Sequence, residues 1–267
     1  MKFLLSRHPS LLRRRRERIR LLKTVAVAFS VWLTALAGLY FFVNSGEVQA
    51  VAVERKLPIY SVETQEKKIS ISFDCAWGVE YTDKILTELD RHGVKCTFFA
   101  VEFWVRKYPE YAKKIVQRGH ELGTHSKTHP YMSKLTEGQV LDELNSSVKA
   151  IEEITGVKPT LFRPPYGDYN NTLIDTASGL GLYTIQWDVD SLDWKNLTAT
   201  EISLRIINGT KEGSIILCHN NGLHTAEALP MIFSTLQNRG YTFVPIGELI
   251  LKKNYTIDHT GRQHPNA

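Results

Sequence analysis

From residue 69 onward, short apolar runs rich in β-branched and aromatic residues alternate with segments that repeat apolar residues at helical spacing. The short runs predict strands at 69–73, 96–101, 121–123, 161–163, 183–187, 214–217 and 241–244. The segments between them predict helices at 82–92, 110–118, 139–154, 172–179, 201–207 and 226–239. Strict alternation of strands and helices implies a parallel sheet with right-handed crossovers. We therefore expect an α/β fold, a distorted (β/α) barrel of about seven units.

A different pattern precedes these units. Residues 24–43 carry no charge over twenty positions, which is long enough to cross a bilayer as a helix. Residues 1–23 hold nine Lys and Arg against one Glu, and such charge places the N-terminus in the cytoplasm and the folded part outside. The alternative is a signal peptide cleaved after Ala50. The sequence thus predicts a single-pass protein of the cell membrane, or a secreted protein if that cleavage occurs.

These patterns divide the chain into a basic cytoplasmic tail (1–23), a transmembrane anchor (24–43), a polar stalk (44–68), a folded domain (69–252) and a polar C-terminal tail (253–267). Beyond the basic tail, acidic residues outnumber basic ones, so the charge of the folded part argues against a nucleic-acid partner. A nucleotide is not expected either, because no glycine-rich phosphate turn follows the first strand. The expected partners are the membrane, through 24–43, and a substrate of the folded domain.

Ionisable residues collect where the predicted strands end, which in a parallel barrel is the rim that carries the chemistry. The candidate residues at these ends are Asp74 and Cys75 after the first strand, His125 and His129 after the third, Arg163 and Tyr166 after the fourth, Asp193 with its neighbour Trp194 after the fifth, and His219 with its neighbour Leu217 at the sixth. His125 and His129 are four residues apart, and on a helical turn both imidazoles would point the same way, as a divalent metal requires. Cys96 and Cys218 lie in apolar runs and are expected in the core.

The segments SFDC, HSKTH, RPPY, DSLDW and LCH occur in this order between residues 69 and 251. They resemble the five motifs of the NodB-type polysaccharide deacetylases, the family-four carbohydrate esterases. The FD-x-x-WG form of the first motif is most similar to the sporulation-associated PdaB-like branch. The resemblance implies a distorted (β/α) barrel that removes acetyl groups from N-acetylated sugars, with peptidoglycan as the expected substrate and a chitin-like oligosaccharide as the alternative.

The resemblance also implies a role for each motif residue. Asp74 resembles the general base, and Arg163 the residue that orients it. His219 resembles the acid that protonates the leaving amine, and Asp193 the residue that holds this histidine. The remaining implied roles are metal ligation by His125 and His129, oxyanion stabilisation by the backbone N–H of Tyr166, and substrate contact by Tyr166, Trp194 and Leu217.

Cys75 departs from the family pattern, which has a second Asp, the third metal ligand, at this position. Three hypotheses stay open. The thiolate completes a Cys-His-His site, for which zinc is the expected metal and cobalt a possible one; or two histidines and waters hold a weaker metal; or the metal is lost, and the barrel is a weak or inactive enzyme that binds glycan.

Overall fold

The computed structural model describes residues 9–45 and 54–266, and the chain divides into two compact units, Met1–Glu54 and Arg55–Ala267. In the first unit, residues 9–45 form the helix α1 (Pro9–Ser45), which contains the predicted anchor. Its segment Arg13–Phe41 is long and apolar enough to cross a membrane, a test that a signal sequence near the N-terminus also passes. Ala50, the predicted cleavage position, lies outside the described residues.

The second unit alternates strands and helices as the sequence predicts. Its strands are β1 (Ser61–Val62), β2 (Lys68–Cys75), β3 (Thr97–Ala100), β4 (Glu121–Thr124), β5 (Leu161–Phe162), β6 (Tyr183–Thr184), β7 (Val189–Asp190), β8 (Ile215–His219), β9 (Thr242–Phe243), β10 (Tyr255–Ile257) and β11 (Arg262–Pro265). Its helices are α2 (Thr82–Arg91), α3 (Glu102–Lys107), α4 (Pro109–Gln117), α5 (Glu137–Thr155), α6 (Asn171–Gly179), α7 (Ala199–Gly209), α8 (Thr225–Asn238) and α9 (Ile246–Leu249). Short 3₁₀ turns occur at Met132–Lys134, Pro165–Gly167 and Asp193–Lys195.

One curled parallel sheet organises this unit. Its strands follow the order β6-β5-β4-β3-β2-β8-β7, and β9 pairs with β2 at the start of that strand. All of these pairings are parallel, so the carboxyl ends of the strands meet at one rim. The predicted distorted (β/α) barrel of about seven units is confirmed. The curled sheet has β6 and β7 as its two edge strands.

The central strand β2 shows why this sequence folds in this way. Its residues alternate Ile, Ser, Ile, Ser, Phe, Asp, Cys from Ile69 to Cys75, and side chains along a strand alternate between the two faces of the sheet. One face carries Ile69, Ile71 and Phe73 into the apolar core formed with the helices. On the other face the Ser70 and Ser72 hydroxyls donate to the carbonyl oxygens of Val244 and Ile216 at 2.6 and 2.7 Å. The second face continues to Asp74 at the rim.

The helices begin where their capping residues lie. The hydroxyl of Thr136 accepts from the backbone N–H of Gln139 at the start of α5, and the Gln139 side chain accepts from the Thr136 N–H. Thr198 and Glu201 form the same reciprocal arrangement at the start of α7. Each arrangement satisfies two N–H groups that a helix terminus leaves without intrahelical partners. The apolar face of α5 then packs against the neighbouring helices α3, α4 and α6.

The predictions of a stalk up to residue 68 and a loose tail from residue 253 are wrong in part. The strands β1, β10 and β11 form a separate small sheet, in which β1 pairs in parallel with β11 and β10 pairs with β11 in antiparallel fashion. These strands are short and contain polar residues, so they lack the apolar runs from which strands were predicted. Gln263 is fully buried. Its side-chain oxygen accepts from the Leu251 N–H and its NH₂ group donates to the Leu251 carbonyl oxygen, each at 2.9 Å, so both polar atoms of the amide have a partner.

An ion cluster also joins both ends of this small sheet. The Nδ1 atom of His264 lies 2.8 Å from Glu63 Oε2, and its Nε2 atom lies 2.8 Å from Asp258 Oδ2. These hydrogen bonds to Asp258 and then Glu63 raise the pKa of His264 above its ordinary value. One imidazole thus links the segment that enters the folded unit to the segment that ends it.

Candidate active site

The carboxylate of Asp74 reaches the rim at the end of β2. Asp74 pairs in register with His219 of β8, so their side chains leave neighbouring strands on the same side of the sheet. The guanidinium of Arg163, which is fully buried, donates to Asp74 Oδ1 at 2.8 Å and to the carbonyl oxygen of Gln186 at 3.2 Å. It also lies 4.2 Å above the centre of the Phe99 ring. These contacts hold the charged pair in one geometry.

This arrangement keeps Asp74 ionised. Burial alone would raise the pKa of this carboxyl group, but the Arg163 charge, with smaller contributions from His125 and His219, brings the pKa below its ordinary value. A carboxylate that is both ionised and held by a fixed cation can accept a proton without first moving into place. Asp74 and Arg163 therefore have the arrangement that the sequence predicts for a base and its orienting residue.

His125 and His129 lie close together, with 4.9 Å between their ring centres. They do not lie on a helical turn, as predicted, but in an irregular loop where Ser126 and His129 have φ angles of 73° and 61°. The Nδ1 atom of His125 lies 2.7 Å from the carbonyl oxygen of Arg163 and its Nε2 atom 3.5 Å from Asp74 Oδ2. If Nδ1–H donates to this carbonyl, Nε2 keeps its lone pair for the cavity.

Both imidazoles are held in the neutral state, which is the form that binds metal ions. Burial is the main cause in each case: it lowers the pKa of His125 and brings the pKa of His129 to about 4. The Nδ1 atom of His129 is buried and has no hydrogen-bond partner among the residues that the structure describes. The loop therefore presents two neutral nitrogen donors.

Cys75 lies away from these donors. It is fully buried and belongs to the apolar cluster with Ile71 and Phe73, on the core face of β2. Its Sγ atom lies 3.8 Å from the carbonyl oxygen of Phe73, and burial, followed by the charge of Asp74, raises the pKa of the thiol well above its ordinary value. The thiolate hypothesis for Cys75 therefore disagrees with the structure, because successive residues of a strand face opposite sides of the sheet.

The metal site implied by the resemblance is incomplete in this chain. Within residues 9–45 and 54–266, no group of three or more His, Cys, Asp or Glu side chains is arranged to hold a metal ion. The two imidazoles of His125 and His129 are suitable donors, but Cys75 does not add a third. The described residues do not fit a centre with three protein ligands.

His219 is held from below by Asp193, which is fully buried in the 3₁₀ turn after β7. Asp193 Oδ1 lies 2.7 Å from His219 Nδ1, and Oδ2 accepts from the His219 backbone N–H at 2.8 Å and from the Thr225 hydroxyl at 2.6 Å. Burial would lower the pKa of His219, but the hydrogen bond and the charge of Asp193 raise it above its ordinary value. His219 is thus prepared to carry a proton, as an acid must.

These groups surround one cavity of about 490 Å³. It is lined by Asp74, Ala76, Trp77, His125, His129, Tyr166, Trp187, Asp190, Trp194, Leu217, His219 and Asn221. The indole of Trp194 and the ring of Tyr166 are 58% and 56% exposed, so both lie at the mouth of the cavity. Arg163 and Asp193 do not line the cavity; Arg163 acts on it through Asp74 and His125, and Asp193 acts on it through His219.

The structure therefore brings together the predicted residues of all five motifs, with Cys75 as the exception. Sequence reasoning missed Trp187 and Asn221 as lining residues. Trp187 was placed inside a predicted strand, whereas β6 ends at Thr184 and leaves this indole free to turn into the cavity. Asn221 follows His219 by two positions, and its place after a strand exit was the available signal.

Comparison with known proteins identifies the family of this chain. The family model described as polysaccharide deacetylase matches residues 61–185. The uncharacterized protein YlxY of Bacillus subtilis is 37% identical over 193 residues, which is 72% of this chain and 60% of YlxY. The peptidoglycan-N-acetylmuramic acid deacetylase PdaA of Bacillus subtilis is 33% identical over 218 residues, which is 80% of this chain and 83% of PdaA.

A solved structure resembles this chain in both fold and sequence. Wild-type BA3943 from Bacillus anthracis, described as a CE4 family pseudoenzyme, is 35% identical with a TM-score of 0.70, and the match covers 72% of this chain and 68% of that one. A BA3943 mutant with the same TM-score of 0.70 is described as having restored enzymatic activity. The curled sheet, the assembled motif residues and the match to PdaA lead to one conclusion: the chain belongs to the polysaccharide deacetylase family, the carbohydrate esterase family 4 (CE4).

Proposed function

We propose that this chain hydrolyses N-acetyl groups of a cell-wall polysaccharide, with peptidoglycan as the substrate. The observation that carries the proposal is the pair Asp74 and His219, which lines one cavity and has pKa values shifted in opposite directions. The pKa of Asp74 is lowered and that of His219 is raised, so one group is ready to accept a proton and the other to donate one. Peptidoglycan is favoured because PdaA is a peptidoglycan-N-acetylmuramic acid deacetylase.

The chemistry follows from these two groups. Asp74 accepts a proton from a water molecule as the water oxygen attacks the acetamide carbonyl carbon. The backbone N–H of Tyr166 donates to the oxygen on which negative charge develops. As the C–N bond breaks, His219 gives its proton to the departing nitrogen, so that acetate and a free amine form. Trp194 and Leu217 bound the space for the acetyl methyl group.

We also propose that α1 anchors the protein in the cell membrane with the second unit outside the cytoplasm. Nine basic residues before the apolar stretch support this orientation. The FD-x-x-WG form of the first motif is similar to that of the sporulation-associated PdaB-like branch, so a role in sporulation is part of the same proposal.

A second candidate function is glycan binding without hydrolysis. It is favoured by one observation, the position of Cys75 in the core. The two imidazoles of His125 and His129 are then without the third protein ligand that the family pattern provides. The description of BA3943 as a pseudoenzyme is consistent with this alternative. In this case the cavity and its aromatic mouth would retain the polymer, and acetate would not be released.

The test is acetate release by the full-length chain in mild detergent, from N-acetylated peptidoglycan and from chito-oligosaccharides, without added ion and with zinc or cobalt. We expect release from peptidoglycan and a loss of about 10²-fold or more in Asp74→Asn. Glu227→Gln, at an exposed position of α8 outside the cavity, should retain wild-type activity. No acetate from either polymer with any of these ions, together with retention of the chain on sedimented peptidoglycan, would establish the binding function instead.

A further inference from the structure

The loop that carries His125 and His129 adopts a conformation that its residues do not favour. Ser126 and His129 both lie in the left-handed region, with φ angles of 73° and 61°, which costs conformational free energy for residues other than glycine. Such a backbone persists only where surrounding contacts determine it. The contacts that hold this loop therefore decide where the two imidazoles lie.

Glu143 of α5 accepts three of these contacts. Its carboxylate is 8% exposed, and Oε2 accepts from the backbone N–H groups of Lys127 and Thr128, each at 2.8 Å. Its Oε1 atom accepts from the Thr128 hydroxyl at 2.6 Å. The three donors belong to the two residues that lie immediately before His129 and after Ser126. A charged acceptor with three short bonds is a strong and directional restraint.

Two weaker contacts complete the loop from within. The Ser126 hydroxyl accepts from the His129 backbone N–H at 2.9 Å, and the Thr124 hydroxyl accepts from the Ser126 N–H at 3.2 Å. Both are neutral bonds inside the same short segment. Thr124 joins the loop to β4, and the Ser126 carbonyl oxygen accepts from the Glu102 N–H of α3 at 3.0 Å. The charged bonds of Glu143, in contrast, tie Lys127 and Thr128, next to His129, to the long helix α5.

We propose that Glu143 is a positioning residue that fixes the two imidazoles relative to each other and to Asp74. Without its carboxylate, the segment from Ser126 to His129 relaxes toward negative φ angles, and the His129 ring leaves its place between Trp77 and Tyr166. Those ring centres lie 5.0 and 4.6 Å from that of His129. This placement matters for turnover only if the proposed hydrolysis is correct, but the geometry of the loop does not depend on it.

The test compares Glu143→Gln with Asp142→Asn in the full-length chain in detergent. Gln has the size of Glu but carries no charge, so the two backbone N–H bonds lose their charged acceptor, and its NH₂ group can meet the Thr128 hydroxyl only as a donor, which reverses that bond. Asp142 is the matched control, because it adjoins Glu143 on α5 and contacts the same loop only through its exposed pair with the Lys127 ammonium at 3.0 Å. Circular dichroism and thermal melting establish that each variant is folded.

The first readout is the NMR spectrum of the histidine side chains without added metal. The Trp77 and Tyr166 rings shift the His129 ring protons, so we expect these resonances to move in Glu143→Gln and to stay unchanged in Asp142→Asn. The second readout is acetate release, where kcat should fall at least tenfold in Glu143→Gln with KM within twofold. A merely structural carboxylate would change the melting temperature but leave the His129 resonances of the folded protein in place.

A folded Glu143→Gln variant with wild-type His129 resonances would overturn the proposal. If this variant does not fold, Glu143→Asp, which keeps the charge on a shorter stem, is read in the same way, and unchanged His129 resonances there would equally overturn it. If the wild-type chain releases no acetate, the proposed hydrolysis fails, and the NMR comparison still decides the role of Glu143.

Discussion

Replacing Arg163 by Met tests whether the charge pair at the centre of the site is held by electrostatics or by packing. Methionine fills much of the same elongated space but leaves the Asp74 carboxylate buried without its partner. Opposite charges about 4 Å apart interact with about 4 kcal/mol at an effective dielectric constant of ~20. Removal of one member of a buried pair costs about 3–5 kcal/mol in measured cases. We therefore expect Arg163→Met to lower the free energy of unfolding by about 3–5 kcal/mol at pH 7.

The double variant Arg163→Met with Asp74→Asn gives the reverse result. Replacement of both members of a buried pair by neutral groups is often close to neutral in stability, so the second substitution should restore most of the loss. Acetate release should be absent in both variants, because the single variant lacks the cation that lowers the pKa of the base and the double variant lacks the base as well. Stability and activity would then be separated by one additional substitution.

The measurement is urea denaturation of the full-length chain in detergent, followed by near-ultraviolet circular dichroism at 25 °C. Lys149→Met is the control, because the Lys149 and Glu153 side chains are 76% and 50% exposed in their ion pair, and exposed pairs of this kind contribute about 1 kcal/mol or less. If Arg163→Met costs no more than this control, or if the double variant is no more stable than the single one, the electrostatic account of Asp74 is refuted.

Three further predictions concern other parts of the molecule. Cys75→Ser should leave the zinc content unchanged in elemental analysis, and a clear fall would restore the thiolate hypothesis. Asp193→Asn should lower the pKa of His219 in an NMR titration and abolish acetate release, because burial is then no longer opposed; an unchanged pKa would contradict the role of Asp193. The pKa of His264 is raised, so its contribution to stability is present below its ordinary pKa of about 6.5 and is lost as pH rises through its pKa in the folded state. His264→Gln should therefore lower the melting temperature more at pH 5.5 than at pH 8.5, and equal losses would refute this reading.

The sequence was sufficient to predict the site wherever distant residues meet through sheet topology alone. Asp74 and His219 follow parallel strands, and the carboxyl ends of parallel strands share a rim whatever the lengths of the loops between them. The order of the five motifs therefore carried information on distance. The predicted barrel has the same basis, since strict alternation of strands and helices admits few arrangements.

Cys75 was misjudged because the end of β2 was placed too early. The strand was predicted to end at residue 73, but it continues through Cys75, and alternation then assigns the thiol to the same face as Ile71 and Phe73. Local sequence does not fix the last residue of a strand, because that depends on how far its neighbours pair with it. Moving the end of β2 by two residues thus turns Cys75 from a candidate metal ligand into a core side chain.

Glu143 and the small sheet escaped prediction for a related reason. An acidic residue on an amphipathic helix is usually solvated, and no local signal distinguishes Glu143 from the exposed Asp142 beside it. The strands β1 and β11 contain polar residues whose burial is compensated by partners outside their own strands, such as Leu251 for Gln263. In both cases the deciding interaction is long-range and is made by hydrogen bonds, which leave no periodic pattern.

The parallel pairing of β1 with β11 has a practical consequence for engineering. Ser61 lies opposite Arg262, so the start and the finish of the folded unit are separated by roughly the length of a short strand, about 13 Å for four residues. A brief peptide bridge could join them, and new ends could then be opened in a surface loop. Such a circular permutant would carry its tether at a chosen place, and the orientation of the cavity relative to an attached surface would become adjustable.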